Sequence, residues 1–400
     1  MNLVALNIDS IPLGQPLPFI LRGEDGTLLA NKGFVIRNRE ELSAVLARGR
    51  GLCVDTDESG DSHRAYLAQL QKMLLSDSSL GQIASMKISA GAQAQRTDDA
   101  RPFPDWPELQ LRTTQLLRAP QASDFLERFH ALHEELARWT SHAPDATLLA
   151  LIYLSAQETQ MYSATHALLV GCVTMLSARE TLRWPEERVQ RTGLAALSMN
   201  IAMTALQDQL ALQTQPLTAE QMHAIETHAD RSEALLRQLG VTDASWLEAV
   251  RSHHHRQPGP LAGRSEGLQM ARLIQRADIF GARMAPRATR HPMAVTAAMQ
   301  ASYYDEEQRV DEAGAALVKT VGVYPPGAFV RLASQEVGVV LRRGSSATTP
   351  RVAVVLNRSG MATGEPIPRD TAQPQWKIAA PVAQREVRAQ FPLQRLLTLV

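Results

Sequence analysis

From about residue 106 to residue 321, apolar side chains recur every three or four positions with polar side chains between them, over more than two hundred residues. The segments FLERFHALHEELARW, ATLLALIYLSAQETQMY, THALLVGCVTMLSARETL and LEAVRSHHH all carry this spacing, which is the period of an amphipathic helix. A chain with so many helical stripes has to bury them against one another, and an all-α bundle is the economical way to do so. No unit recurs at a fixed period, which excludes a repeat architecture.

The flanks follow a different rule. In PLPFILRGEDGTLLANKGFVI two alternating or apolar runs surround Glu24-Asp25-Gly26, and Asp-Gly between such runs signals a hairpin because glycine readily takes positive φ. Asn38 is placed to cap a short helix, REELSAVLARG, that Gly49 can stop, and GLCVDT then returns as a strand. A further helical stretch is expected near residues 63–76. SAGAQAQRTDDARPFPDWP, rich in small, polar and proline residues, reads as a linker. Beyond Tyr324, the runs AFVRLA, VGVVLRR and RVAVVL alternate with Ser/Gly/Thr-rich turns and predict antiparallel strands, with WKIAA as a fourth. The expected organisation is a small β-rich N-terminal domain over 1–60, a helix and linker over 61–105, a helical domain over 106–322, and a C-terminal β appendage and tail over 323–400.

Composition narrows the partners. Four hundred residues suggest about two or three domains, and 44% hydrophobic content is enough to give them cores. The 41 basic residues balance the 41 acidic ones, so the excess positive charge of a bulk nucleic-acid binder is missing. Cys53 and Cys172 are too few for a disulfide framework, and the cytoplasm is the expected compartment. The N-terminus lacks a basic signal region, and HALLVGCVTML, the greasiest stretch, is too short for a membrane span.

Five side chains in the helical region suit a divalent cation such as iron, manganese or zinc: His166, His228, His253, His254 and Asp278. Each has a plainer explanation. His166 lies in line with Leu169, Val170 and Val173, as a hydrogen-bonded core histidine would, and a histidine run such as SHHHRQPGP can be solvated surface. Asp278 follows the apolar-faced MARLIQRA and would need a partner if buried. Between residues 251 and 292 there are eight arginines (251, 256, 264, 272, 276, 283, 287 and 290) against two acids, Glu266 and Asp278. Such a stretch suits either an anionic ligand or helix faces paired with acids elsewhere.

These residues and their neighbours resemble the HD-GYP branch of the HD-domain metal-dependent phosphohydrolases, whose better-known members hydrolyse cyclic di-GMP at a two- or three-metal site. His166 in YSATHALLV matches the family's first ligand, and LTAEQMHAIETHADRSEALL places His228 as another. AVRSHHHR looks like the family's paired histidines, His253 and His254, with His255 in place of a glutamate. ARLIQRADIFGARMAPRATR aligns with the family's last aspartate and two arginines, giving Asp278, Arg287 and Arg290. ALVKTVGVYPPGAFVRLASQEVGVVLRR is similar to the tail that follows the helical core. The resemblance runs from about residue 145 to 345 and implies an HD-type helical bundle.

The family's defining motif is absent. Where members have a segment close to AALLHDIGK, this chain has AALSMNIAM, so Met199 and Asn200 replace the His-Asp pair and Met203 the lysine. QPGPLAGRSEG holds no GYP. A bridging carboxylate neutralises two metals and fixes their spacing, whereas Asn200 offers one neutral oxygen. Met199 and Met203, expected one turn apart on a single helical face, put soft thioethers where hard ligands belong. The resemblance therefore implies a catalytically degenerate signalling protein with no catalytic residues at these positions. It would hold no metal or a single divalent one, sense a cyclic dinucleotide through Arg287 and Arg290, and engage signalling proteins or a second copy of itself. The alternatives are a metal-dependent phosphohydrolase with an altered site and a non-enzymatic scaffold similar to HDOD domains.

Overall fold

The computed structural model describes residues 3–55, apart from 6–10, 12, 14–16, 18–19, 25, 32–33 and 47–50, and residues 103–400, apart from 157–158, 160 and 388–390. The helix expected near 63–76, the residues around Gly49 and the linker before residue 103 lie outside the described residues. The chain divides into two compact units, Met1–Leu111 and Arg112–Val400.

In the first unit β1 (Leu3–Ala5), β2 (Leu21–Arg22), β3 (Leu28–Ala30) and β4 (Cys53–Asp55) form an antiparallel sheet in the order β1-β4-β2-β3. Gly26 takes φ +81° between β2 and β3, the positive value that the Asp-Gly pair anticipates. Helix α1 (Arg39–Leu46) is capped by Asn38, whose Oδ1 accepts from the Glu41 amide at 2.8 Å, while Glu41 reaches back to the Arg37 amide at 2.7 Å. Leu17, Leu21, Ile36, Leu42 and Leu52 are among the side chains of its core.

Helix α2 (Trp106–Arg118) contains the point of division, and the second unit continues through α3 (Phe125–His142), α4 (Pro144–Ser155) and α5 (Tyr162–Leu176). All fifteen residues of α5 are buried, so the polar face that its spacing predicts is missing and the helix is enclosed on every side. It packs against α3, α4, α6 (Glu186–Ser198), α7 (Thr204–Leu212) and α11 (Glu266–Met284). The remaining helices are α8 (Ala219–Glu226), α9 (His228–Gln238), α10 (Ala244–Ser252), α12 (Val295–Tyr303) and α13 (Glu312–Val321). Side-chain caps set the starts of α8, α10, α11 and α13: Thr218 and Gln221 cap α8 reciprocally, and Asp243, Ser265 and Asp311 accept first-turn amides of α10, α11 and α13.

Five antiparallel strands follow: β5 (Phe329–Leu332), β6 (Val337–Arg342), β7 (Arg351–Leu356), β8 (Ala362–Asp370) and β9 (Ile378–Val382), in the order β8-β7-β6-β5-β9. A short helix, α14 (Leu393–Leu397), comes after them. The sequence reading anticipates four of the strands and misses β8, ATGEPIPRD, whose prolines argue against a ladder. Its edge position explains the difference, since proline's missing N–H is tolerated there. Arg343 ties the sheet to the helices by binding Asp145 at 2.7 Å, Glu180 at 2.6 Å and the Thr320 carbonyl at 2.9 Å.

Met199 and Met203 do not share one helical face. Helix α6 stops at Ser198, and Ile201–Met203 form a 3-10 turn closed by the Met203 amide on the Asn200 carbonyl at 2.9 Å. The tighter turn changes the angle between the two side chains, yet both remain buried.

Candidate metal centre

His228 opens α9, and His253 and His254 directly follow α10. The His228 Nδ1 lies 2.5 Å from the Ile225 carbonyl and the His253 Nδ1 lies 2.6 Å from the Val250 carbonyl. A carbonyl only accepts, so both Nδ1 atoms carry the proton and both neutral rings turn an Nε2 lone pair forward. Those two Nε2 atoms stand 3.2 Å apart, and His254 Nε2 is also 3.2 Å from that of His228. His254 can donate a proton toward His228, but nothing donates between His228 and His253. Taking up a proton there is opposed: burial pushes His253 down to about 3, with the charge of His254 adding to it, and burial also lowers His228.

Lone pairs that converge without a donor are what a cation requires. Nitrogens bonded at about 2.0–2.1 Å to a tetrahedral ion stand roughly 3.3 Å apart, close to the 3.2 Å found. The three ligand nitrogens all lie within 4.8 Å of one another, with His228 and His253 buried and His254 exposed. The set therefore fits one borderline divalent ion with an open side toward solvent.

His166 and Asp278 form a separate pair. His166 Nε2, on the buried helix α5, donates to Asp278 Oδ1 on α11 at 2.8 Å, and its Nδ1 makes no hydrogen bond among the described residues. Burial opposes charge on Asp278, but the hydrogen bond from His166 and the positive potential of His166, His254 and His253 outweigh it. The carboxyl is held well below the usual range. Gly281 makes this approach feasible, because a Cβ there would stand 3.1 Å from His166 Nδ1. Tyr162, one turn before His166, stacks on the imidazole with centroids 5.7 Å apart, and Arg287 donates to the Tyr162 hydroxyl at 3.0 Å.

The segment that replaces the motif has little space on one side and more on the other, where Ile201 and Ala202 line a cavity of about 450 Å3 together with Arg118 and Arg231. Met199, Asn200, Ser163, Ala167, Thr204 and Gln207 are among the residues enclosing a void of about 10 Å3, at the lower limit for a single water.

No family model matches the chain. A sequence relative, a protein of Pseudomonas aeruginosa named Cyclic di-GMP phosphodiesterase PA4108, is 27% identical over 246 residues, which cover 60% of this chain and 58% of that protein. The helical unit is HD-GYP-like. The chain spans 58% of the length of that relative. Among solved structures, Bd1817, described as an HDG"Y"P protein from Bdellovibrio bacteriovorus, has a TM-score of 0.41 and 14% identity, covering 79% of this chain and 98% of that one.

Within this HD-GYP-like unit the arginines separate by role. Arg272 and Arg276 are buried and tied to acids: Arg272 binds Asp311 at 2.6 Å and Glu306 at 2.8 Å, and Arg276 binds Glu306 at 2.6 Å. Arg264 donates to the carbonyls of Pro260, Gln257 and Gly259. These three hold structure. Arg287 and Arg290 pair with no acid among the described residues, and Arg290 donates to the Ala282 carbonyl. Burial, and then the charge of Arg287, lowers the Arg290 guanidinium. Sequence reading overlooks Tyr162 and Gly281, although Tyr162 stands at i−4 from His166 and Gly281 at i+3 from Asp278. It has no access to the carbonyls of Ile225 and Val250, because main-chain atoms carry no residue signal.

Proposed function

We propose that this chain is a catalytically degenerate HD-GYP-like protein of bacterial signalling. Its helical domain, residues 106–322, holds one divalent metal on His228, His253 and His254 and presents Arg287 and Arg290 to a cyclic dinucleotide. Residues 1–60 serve as a separate input domain, joined through 61–105, and 323–400 form the appendage. The protein works in the cytoplasm with signalling partners.

One observation carries this reading: the candidate ligands fall into two groups, a three-imidazole cluster and the His166–Asp278 pair, while Met199 and Asn200 border a void of about 10 Å3. A two-metal hydrolase needs a carboxylate bridge that holds both ions against attacking and leaving oxygens. Asn200 supplies no charge for it, and Asp278 is committed to His166. When bound, an ion on the histidines supplies a Lewis-acidic contact for a phosphate oxygen. The chain's own groups then act by charge: Arg287, steadied on Tyr162, and Arg290 beside it meet a second phosphate.

The exposed side of the cluster favours a second reading, a phosphohydrolase with an altered one-metal site, because catalytic centres keep an open position. Metal analysis of untagged protein, calorimetric titration with cyclic di-GMP and a hydrolysis assay decide the matter. About one equivalent of iron, manganese or zinc, heat of binding at about 100 μM protein and no turnover are expected. Less than about a tenth of an equivalent removes the metal, absence of heat leaves a scaffold, and turnover of cyclic di-GMP by the parent chain refutes degeneracy.

A further inference from the structure

The C-terminal sheet gathers positive charge where strand pairing should disfavour it. Arg342 on β6 is the register partner of Arg351 on β7, and Arg369 on β8 lies opposite Val352, the next residue along β7. Like charges directly opposite in an antiparallel pair destabilise the ladder. Two acids answer within ion-pair distance, Asp370 at 2.9 Å from Arg351 and Glu336 at 3.6 Å from Arg369. Among the described residues no acid lies within ion-pair distance of Arg342, which is exposed. The arginines therefore carry charge in excess of the acids around them.

The same residues border a cavity of about 300 Å3, at the small end of the range of roughly 300–1,000 Å3 for ligand pockets. Trp376, beneath the Arg369 guanidinium at 4.8 Å, forms part of its wall together with Pro368 and Leu399. Arginine forks select phosphate oxygens, while an indole and apolar walls select a flat ring. We infer that this cavity is a binding site for a purine nucleoside monophosphate, with Arg342 and Arg351 on the phosphate and the base packed along Trp376. The site is carried by strands and is independent of the histidine cluster.

Calorimetric titration of the full chain with GMP tests the inference, with guanosine and inorganic phosphate as controls. GMP should bind with a dissociation constant below about 100 μM, and each control at least about tenfold more weakly. Arg342→Gln, which removes an exposed charge without an acid partner, should weaken GMP by about tenfold while leaving the thermal unfolding temperature unchanged. Three results overturn the inference: no binding at about 1 mM GMP, an affinity in Arg342→Gln within about twofold of the parent, or either control matching GMP.

Discussion

The imidazoles of His228 and His253 face each other with lone pairs forward because two backbone carbonyls have already claimed their protons. Replacing His253 removes one of three donors, so His253→Ala should lower bound metal from about one equivalent to below about a tenth, measured by elemental analysis. A second buried histidine makes a different prediction. Burial pushes His133 down to about 4, its neighbour His130 adds to this, and a backbone contact at Gln190 opposes it. The unfolded chain therefore takes up this proton near pH 6.5, before the folded chain does. Stability is complete above that pH and falls as the pH drops toward 4. Between pH 7.5 and 4.5 the loss assignable to His133 should be about 2 kcal/mol, and urea denaturation of His133→Leu should show a correspondingly flatter pH profile. The candidate ligands are legible in sequence because their neighbours resemble a known motif. Which nitrogen points where is illegible, because the deciding atoms belong to the main chain.

At the scale of elements, α11 does the most. One of its faces delivers Asp278 to His166, and two of its arginines bind the segment before α13 through Glu306 and Asp311. The excess of arginines over acids between 251 and 292 suits either an anion site or pairing with acids elsewhere in sequence, and for Arg272 and Arg276 it is the second, with the acids 30 to 39 residues later. Local counting cannot see that pairing. Arg272→Met should destabilise the fold by about 3–5 kcal/mol, read by urea denaturation, since it strips the buried Asp311 of its nearest partner. Helices α12 and α13 meet still more closely: a Cβ on Gly314 would stand 2.2 Å from the Ser302 carbonyl oxygen. Backbone cannot yield as a flexible side chain can, so Gly314→Ala should cost about 3 kcal/mol or more. The strands are legible wherever β-branched residues alternate, as in RVAVVL. β8 is not, because its position at an edge, which permits its prolines, is a property of the assembled sheet.

For the molecule as a whole, the proposed cation, if held by α9 and the end of α10, would bind the folded chain and not the unfolded one. Free metal at about a hundredfold over its dissociation constant should add about 2.7 kcal/mol, seen as a rise of roughly 5–10 °C in melting temperature. A chelator should reverse the rise, and His254→Ala should abolish it. The long helical period announces the bundle and the change of period near Tyr324 announces the sheet, so the gross organisation of the second unit is readable before any coordinates. That α5 is enclosed on every side is not readable from that period, which predicts a polar face. A helix without a side turned to water has no local way of opening, so its amides should exchange with deuterium only when the whole bundle opens. His166 shares that protection. His254, exposed just past a helix end, does not, so solvent should visit His254 and His166 on very different timescales.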